Sequence, residues 1–110
     1  MPNHWLTVHV LDTARGCPAD GMDLRLARDG KILCAATTNA DGRTDQPMLE
    51  GDDFTPGTYE FTFDVAVWRQ PDAPGFYDSI TIRFVVPPDP GHIHIPLLLS
   101  PFGYTTYRGS

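Results

Sequence analysis

Apolar and polar residues alternate with a period of two along most of the chain. From His4 to Val10, Leu6, Val8 and Val10 face one way and Trp5, Thr7 and His9 the other. Met22, Leu24 and Leu26 alternate with Asp23 and Arg25, and Asp29-Gly30 reads as a two-residue hairpin turn into 31–36. The clearest strand spans 58–67, with Tyr59, Phe61, Phe63, Val65 and Val67 on one face. Ile80, Ile82, Phe84 and Val86 repeat the pattern, as do Ile93, Ile95, Leu97 and Leu99, and a last short strand covers 104–108. Turn signals separate these runs, at 39–42, 55–57, 71–75 and 87–91. No stretch free of Gly and Pro holds a 3.6-residue apolar rhythm for three turns, so at most one short helix is expected. Seven to eight short strands with this punctuation predict an all-β fold, an antiparallel β-sandwich of two sheets.

Length and composition narrow the picture. At 110 residues, two cores would have about 55 residues each, near the lower limit for unaided folding, so 1–110 is expected to form a single domain. Apolar residues at 41% and charged residues at 20% argue against disorder. The net charge of −6 makes nucleic acid an unfavourable partner and leaves no polybasic patch for a membrane surface. No apolar run approaches the roughly 18–20 residues needed to span a bilayer. The first residues show no signal-peptide pattern, and two cysteines, Cys17 and Cys34, make no disulfide framework. The expectation is a cytoplasmic protein with reduced thiols.

Candidate chemistry begins with four histidines, His4, His9, His92 and His94. His92 and His94 stand at i, i+2 on the less apolar face of their strand. With His9 they offer a possible zinc set, but no nearby Cys or Glu completes it, and no metal or cofactor is expected. Taken singly, each is an ordinary half-exposed strand position. Arg43 follows the turn at 39–42. It reads either as a solvated loop charge or as a planar fork suited to adjacent oxygens and nitrogens of a planar substrate. The segment Tyr104-Thr105-Thr106-Tyr107-Arg108-Gly109-Ser110 keeps chemically rich residues to its end, where chain ends are usually bland. It is either a frayed edge or a tail pinned into a site. Motifs for a serine-nucleophile elbow, a phosphate loop or a zinc protease are absent.

Three separated segments together resemble the transthyretin-like family. They are His9-Val10-Leu11-Asp12 with Gly16-Cys17-Pro18-Ala19, then Thr38-Asn39-Ala40-Asp41-Gly42-Arg43, then 92–101 with the terminal Tyr107-Arg108-Gly109-Ser110. The resemblance runs from about Leu6 to Ser110 and implies a β-sandwich assembled as a homotetramer, a dimer of dimers, with active sites between dimers. The final Tyr-Arg-Gly-Ser is similar to the family's 5-hydroxyisourate hydrolase branch and not to its hormone carriers. It implies a purine-catabolic enzyme that opens the cyclic amide of 5-hydroxyisourate, with a non-catalytic small-ligand carrier as the alternative. The segment Val65-Ala66-Val67-Trp68-Arg69 departs from the family's usual end to the long strand. On this resemblance His9, Arg43, His94 and Ser110 are the expected catalytic residues, and His9, Arg43, Tyr107 and Arg108 the substrate-binding ones. A histidine near its ordinary pKa deprotonates water, and a guanidinium steadies the developing oxyanion. Which histidine is the base, and what His92 does, are left open by the sequence.

Overall fold

The alternation is converted into burial almost residue for residue. In the computed structural model, which describes residues 3–109, the strand β1 (Trp5–Asp12) buries Leu6, Val8 and Val10 and leaves Trp5, Thr7 and His9 on its other face. A two-residue strand β2 (Cys17–Pro18) folds back on Leu11 and Asp12. β3 (Asp23–Arg28) and β4 (Lys31–Thr37) form the expected hairpin. Its turn residues Asp29 and Gly30 both have positive φ, 53° and 77°, the backbone twist a two-residue hairpin requires. β5 (Leu49–Glu50) adds a second short ladder to β1. β6 (Gly57–Phe63), β7 (Ile80–Val86), β8 (His92–Ser100) and β9 (Gly103–Thr106) complete the set.

One sheet has the order β2-β1-β8-β9, with β5 also on β1; the other has the order β4-β3-β6-β7. Their inner faces share one apolar core, in which Phe61 stacks on Phe84 at 5.6 Å and lies against Phe63 at 5.8 Å. The result is the expected two-sheet β-sandwich, antiparallel in all but one ladder. That ladder is β1 with β8, parallel along its whole length. The chain between these strands crosses to the other sheet, so it returns to β1 in the same direction.

Two local expectations are modified. The alternation at 58–67 continues past Phe63, yet Val65–Trp68 form a single turn of α-helix, α1. Asp64 is held by the Arg25 guanidinium, whose Nη1 donates to both carboxylate oxygens at 3.1 and 3.0 Å, and its amide donates to the Asp23 carbonyl. Val65 stays buried, while Val67 is 84% exposed. The last strand ends at Thr106 and does not run to Arg108. The next partner in register would be Pro96, which has no N–H to donate. Thr106 Oγ1 donates to the Pro96 carbonyl instead, and the ladder resumes in the same register at an isolated His94–Gly109 bridge. No helix among the described residues is long and apolar enough to cross a membrane.

Candidate active site

The parallel β1·β8 register sets Trp5 beside His92 and Thr7 beside His94. Because His9 lies two residues beyond Thr7, its imidazole falls on the same outer face, 6.3 Å from that of His94 between ring centroids. Trp5 stacks on His92 at 4.7 Å with an interplanar angle of 16°. Between His92 and His94 sits the Thr7 hydroxyl, 2.7 Å from His92 Nε2 and 2.7 Å from His94 Nδ1.

Arg43 reaches this face from a turn that the Asn39 side chain organises. The Asn39 carboxamide oxygen accepts the amides of Asp41 at 2.9 Å and Arg43 at 3.2 Å, and its Nδ2 donates to Asp45 at 2.9 Å. The turn docks on β1 through the Val10 amide, which donates to the Gly42 carbonyl at 2.8 Å. Gly42 has φ of 75° and is buried. A Cβ there would overlap the Val10 carbonyl and lie 3.3 Å from His9 Cδ2, so only glycine allows this approach. The neighbouring Arg43 is thereby held near enough for its charge to act on both imidazoles.

Electrostatics favour neutral histidines. Burial lowers the pKa of His9 below its ordinary value, the Arg43 charge lowers it further, and Asp41 partly opposes both. Burial likewise lowers His94, reinforced by Arg43, His92 and His9. Near neutral pH both imidazoles retain a lone pair able to accept a proton. An adjacent cation, Arg43, is free to stabilise negative charge, being exposed and outside every ion pair among the described residues.

The tail after β9 returns to the site. Gly109 donates its amide to the His94 carbonyl at 2.7 Å and is buried against that ring. Arg108 turns to the Pro90 carbonyl at 3.3 Å and, with Tyr107, borders a cleft lined by Ile82, Phe84, Ile93 and Ile95. Ser110 lies outside the described residues. Of the residues singled out from sequence, His9, Arg43 and His94 are thus gathered on one face, and Tyr107 and Arg108 stand at the adjoining β9 edge. Among the described residues no three His, Cys, Asp or Glu side chains converge to hold a metal ion. Thr7 was not singled out; its only sequence signal is that it shares a strand face with His9.

Comparison with known proteins follows the same lines. Residues 6–109 match the model of the HIUase/Transthyretin family. The chain is 43% identical to 5-hydroxyisourate hydrolase of Pseudomonas aeruginosa, covering 100% of this chain and 94% of that one. It is 47% identical to the 5-hydroxyisourate hydrolase of Deinococcus radiodurans, covering 96% and 95%. Among solved structures it resembles Klebsiella pneumoniae 5-hydroxyisourate hydrolase, with a TM-score of 0.85, 33% identity, and 96% and 99% coverage. Sea bream transthyretin in complex with thyroxine gives 0.84 and 28%, with 94% and 93% covered. An (S)-allantoin synthase gives 0.86 and 38%; 97% of this chain matches it and spans 44% of that longer chain.

Proposed function

The chain belongs to the HIUase/Transthyretin family, and from that premise we propose that it hydrolyses 5-hydroxyisourate to 2-oxo-4-hydroxy-4-carboxy-5-ureidoimidazoline. The observation that carries this reading is that two imidazoles, His9 and His94, share one sheet face with ring centroids 6.3 Å apart, and that the charge of Arg43, which makes no ion pair among the described residues, acts on both.

Opening a cyclic amide with water needs a base for the water and a counter-charge for the oxyanion, because a neutral amide is a poor electrophile. His9 and His94 hold the water between them, and one takes its proton as the O–C bond forms. Arg43 pairs its planar fork with the ring's adjacent oxygens and nitrogens and stabilises the carbonyl oxygen as it becomes negative. Removing one such donor typically costs about 3 kcal/mol, or roughly a hundredfold in rate. The Ser110 hydroxyl takes part in the reaction, a role supported by its chain neighbour Gly109, which is anchored on the His94 carbonyl. Tyr107 and Arg108 orient the substrate.

Residues 1–110 act as one domain, and four copies assemble as a dimer of dimers. Support for assembly comes from the open sheet edges at β7 and β9, which carry the exposed Val85 and Tyr104. The free thiols of Cys17 and Cys34 support a cytoplasmic location.

The test generates 5-hydroxyisourate in situ with urate oxidase and follows its ultraviolet decay. Wild type accelerates the decay, and Arg43→Ala and His94→Ala lose most of that acceleration. A small-ligand carrier would show saturable binding and leave the decay at its spontaneous rate, which would overturn the reading.

A further inference from the structure

Thr7 stands between two imidazoles with a single proton to offer. A hydroxyl 2.7 Å from both His92 Nε2 and His94 Nδ1 can donate its one proton to only one ring nitrogen while it accepts from the other. In that arrangement the two rings take complementary tautomers. When His94 carries its proton on Nδ1 and donates to Thr7, the Thr7 hydroxyl donates to a bare His92 Nε2, and His94 Nε2 is a bare acceptor. When the chain reverses, His94 Nε2 carries a proton and is a donor. Amide hydrolysis needs these two forms in succession, first a base for water and then an acid for the leaving nitrogen.

Building on the hydrolase reading, we infer that Thr7 and His92 are positioning residues forming a proton relay behind His94, which switches that imidazole from base to acid within one turnover. In the first half, a water O–H bond breaks and its proton goes to His94 Nε2, while the new O–C bond pushes the carbonyl pair onto oxygen. The His94 Nδ1 proton moves to Thr7, and the Thr7 hydroxyl proton moves to His92 Nε2. His94 is again neutral, now protonated on Nε2, and His92 holds the positive charge. In the second half, the C–N bond breaks and its electron pair takes the His94 Nε2 proton. The relay then runs back, from His92 Nε2 to Thr7 and from Thr7 to His94 Nδ1. The net change is hydroxyl on carbon and hydrogen on nitrogen, with all three relay groups restored.

The surroundings favour moving the charge outward. Burial has the largest effect on His94, and among the described residues the charged groups acting on it are Arg43, His92 and His9, with no carboxylate. Asp41 acts on His9. A proton left on His94 would thus face Arg43 in a desolvated position. His92 is exposed to water and stacked on the Trp5 indole, whose face attracts a cation.

The test compares wild type with Thr7→Val, which removes the hydroxyl, and Thr7→Ser, which keeps it, using enzymatically generated 5-hydroxyisourate. Thr7→Val should lower kcat about a hundredfold with KM changed less than about twofold, and Thr7→Ser should recover most of the loss. The proton inventory of kcat in mixed H2O and D2O should be bowed in wild type and linear in Thr7→Val. Imidazole ¹⁵N spectra should show the complementary His92 and His94 tautomers in wild type and lose that pairing in Thr7→Val. Equal defects in Thr7→Val and Thr7→Ser, or identical tautomers with and without the hydroxyl, would overturn the relay. So would a Thr7→Val enzyme within about threefold of a hydrolytically active wild type, while the activity itself stands. A wild type that leaves the substrate at its spontaneous decay rate would overturn the activity instead, and the relay's catalytic role with it.

Discussion

Gly109 packs closely against the imidazole of His94. Its amide donates to the His94 carbonyl at 2.7 Å, and a Cβ on it would come within 2.8 Å of His94 Cδ2. Its φ is not positive, so a side chain there carries no backbone strain, and the nearest atoms it meets belong to this ring and the adjoining carbonyl. Gly109→Ala should therefore push His94 aside or lift the tail. A displacement of about 1 Å at a catalytic group costs on the order of a hundredfold in rate. We expect kcat/KM to fall by that order while the thermal midpoint moves by only a few degrees. Steady-state kinetics beside thermal denaturation checks both, and an unchanged rate would detach the tail from His94.

Deletion of residues 107–110 should remove activity and spare the sandwich. β9 ends at Thr106, and the last core residue is Leu99, so the deleted segment contributes little to the shared core. Far-ultraviolet circular dichroism should be nearly unchanged while turnover is lost. Near-normal turnover in the shortened chain would show that the tail has no part in the reaction.

The core was legible because burial in a two-sided sheet is a local property with a period of two. Leu6, Val8 and Val10 needed no partner to be named as inward-facing, and all three are 1% exposed or less. The helical turn at Val65 was not legible, because its cause is an Arg25–Asp64 pair 39 residues apart in the chain. The same distinction divides the site. The family resemblance put His9, Arg43 and His94 in one set, and the structure gathers them on one face. Thr7 gained its place between two imidazoles only through the parallel β1·β8 ladder, whose partners are 87 residues apart. Alternation carries no information about which strand lies beside which, so neither Thr7 nor the partnership of His92 with Trp5 had a local signature.

Phe61→Ala should destabilise the fold without a specific effect on chemistry. Phe61 is fully buried and packs against Phe63 and Phe84, within the sheet that does not carry the histidines. Truncating such a ring costs about 3–5 kcal/mol through lost burial and the cavity left behind. Denaturant unfolding should show a loss of that size, with kcat of the remaining folded enzyme close to wild type.

The pH dependence follows from two imidazoles whose pKa values are held below the ordinary 6.5, first by burial and then by Arg43. The proposed mechanism needs a neutral imidazole, so kcat/KM should stay level as pH falls to 6.5 and decline only below it, through the depressed values. Stability has the same sign. Between the folded and unfolded pKa values the unfolded chain binds more protons, so the stabilising contribution of neutral His9 and His94 is present above 6.5 and is lost as pH falls through the folded values. Arg43→Ala removes the second cause but not the first. It should therefore move both titrations upward, leaving His94, which burial and the other histidines still lower, short of 6.5, and the acid limb of the residual activity should move with them. Proton NMR of the imidazole Cε1–H signals reads these titrations directly. Titrations that stay in place after removal of Arg43 would mean that its charge does not reach the two rings.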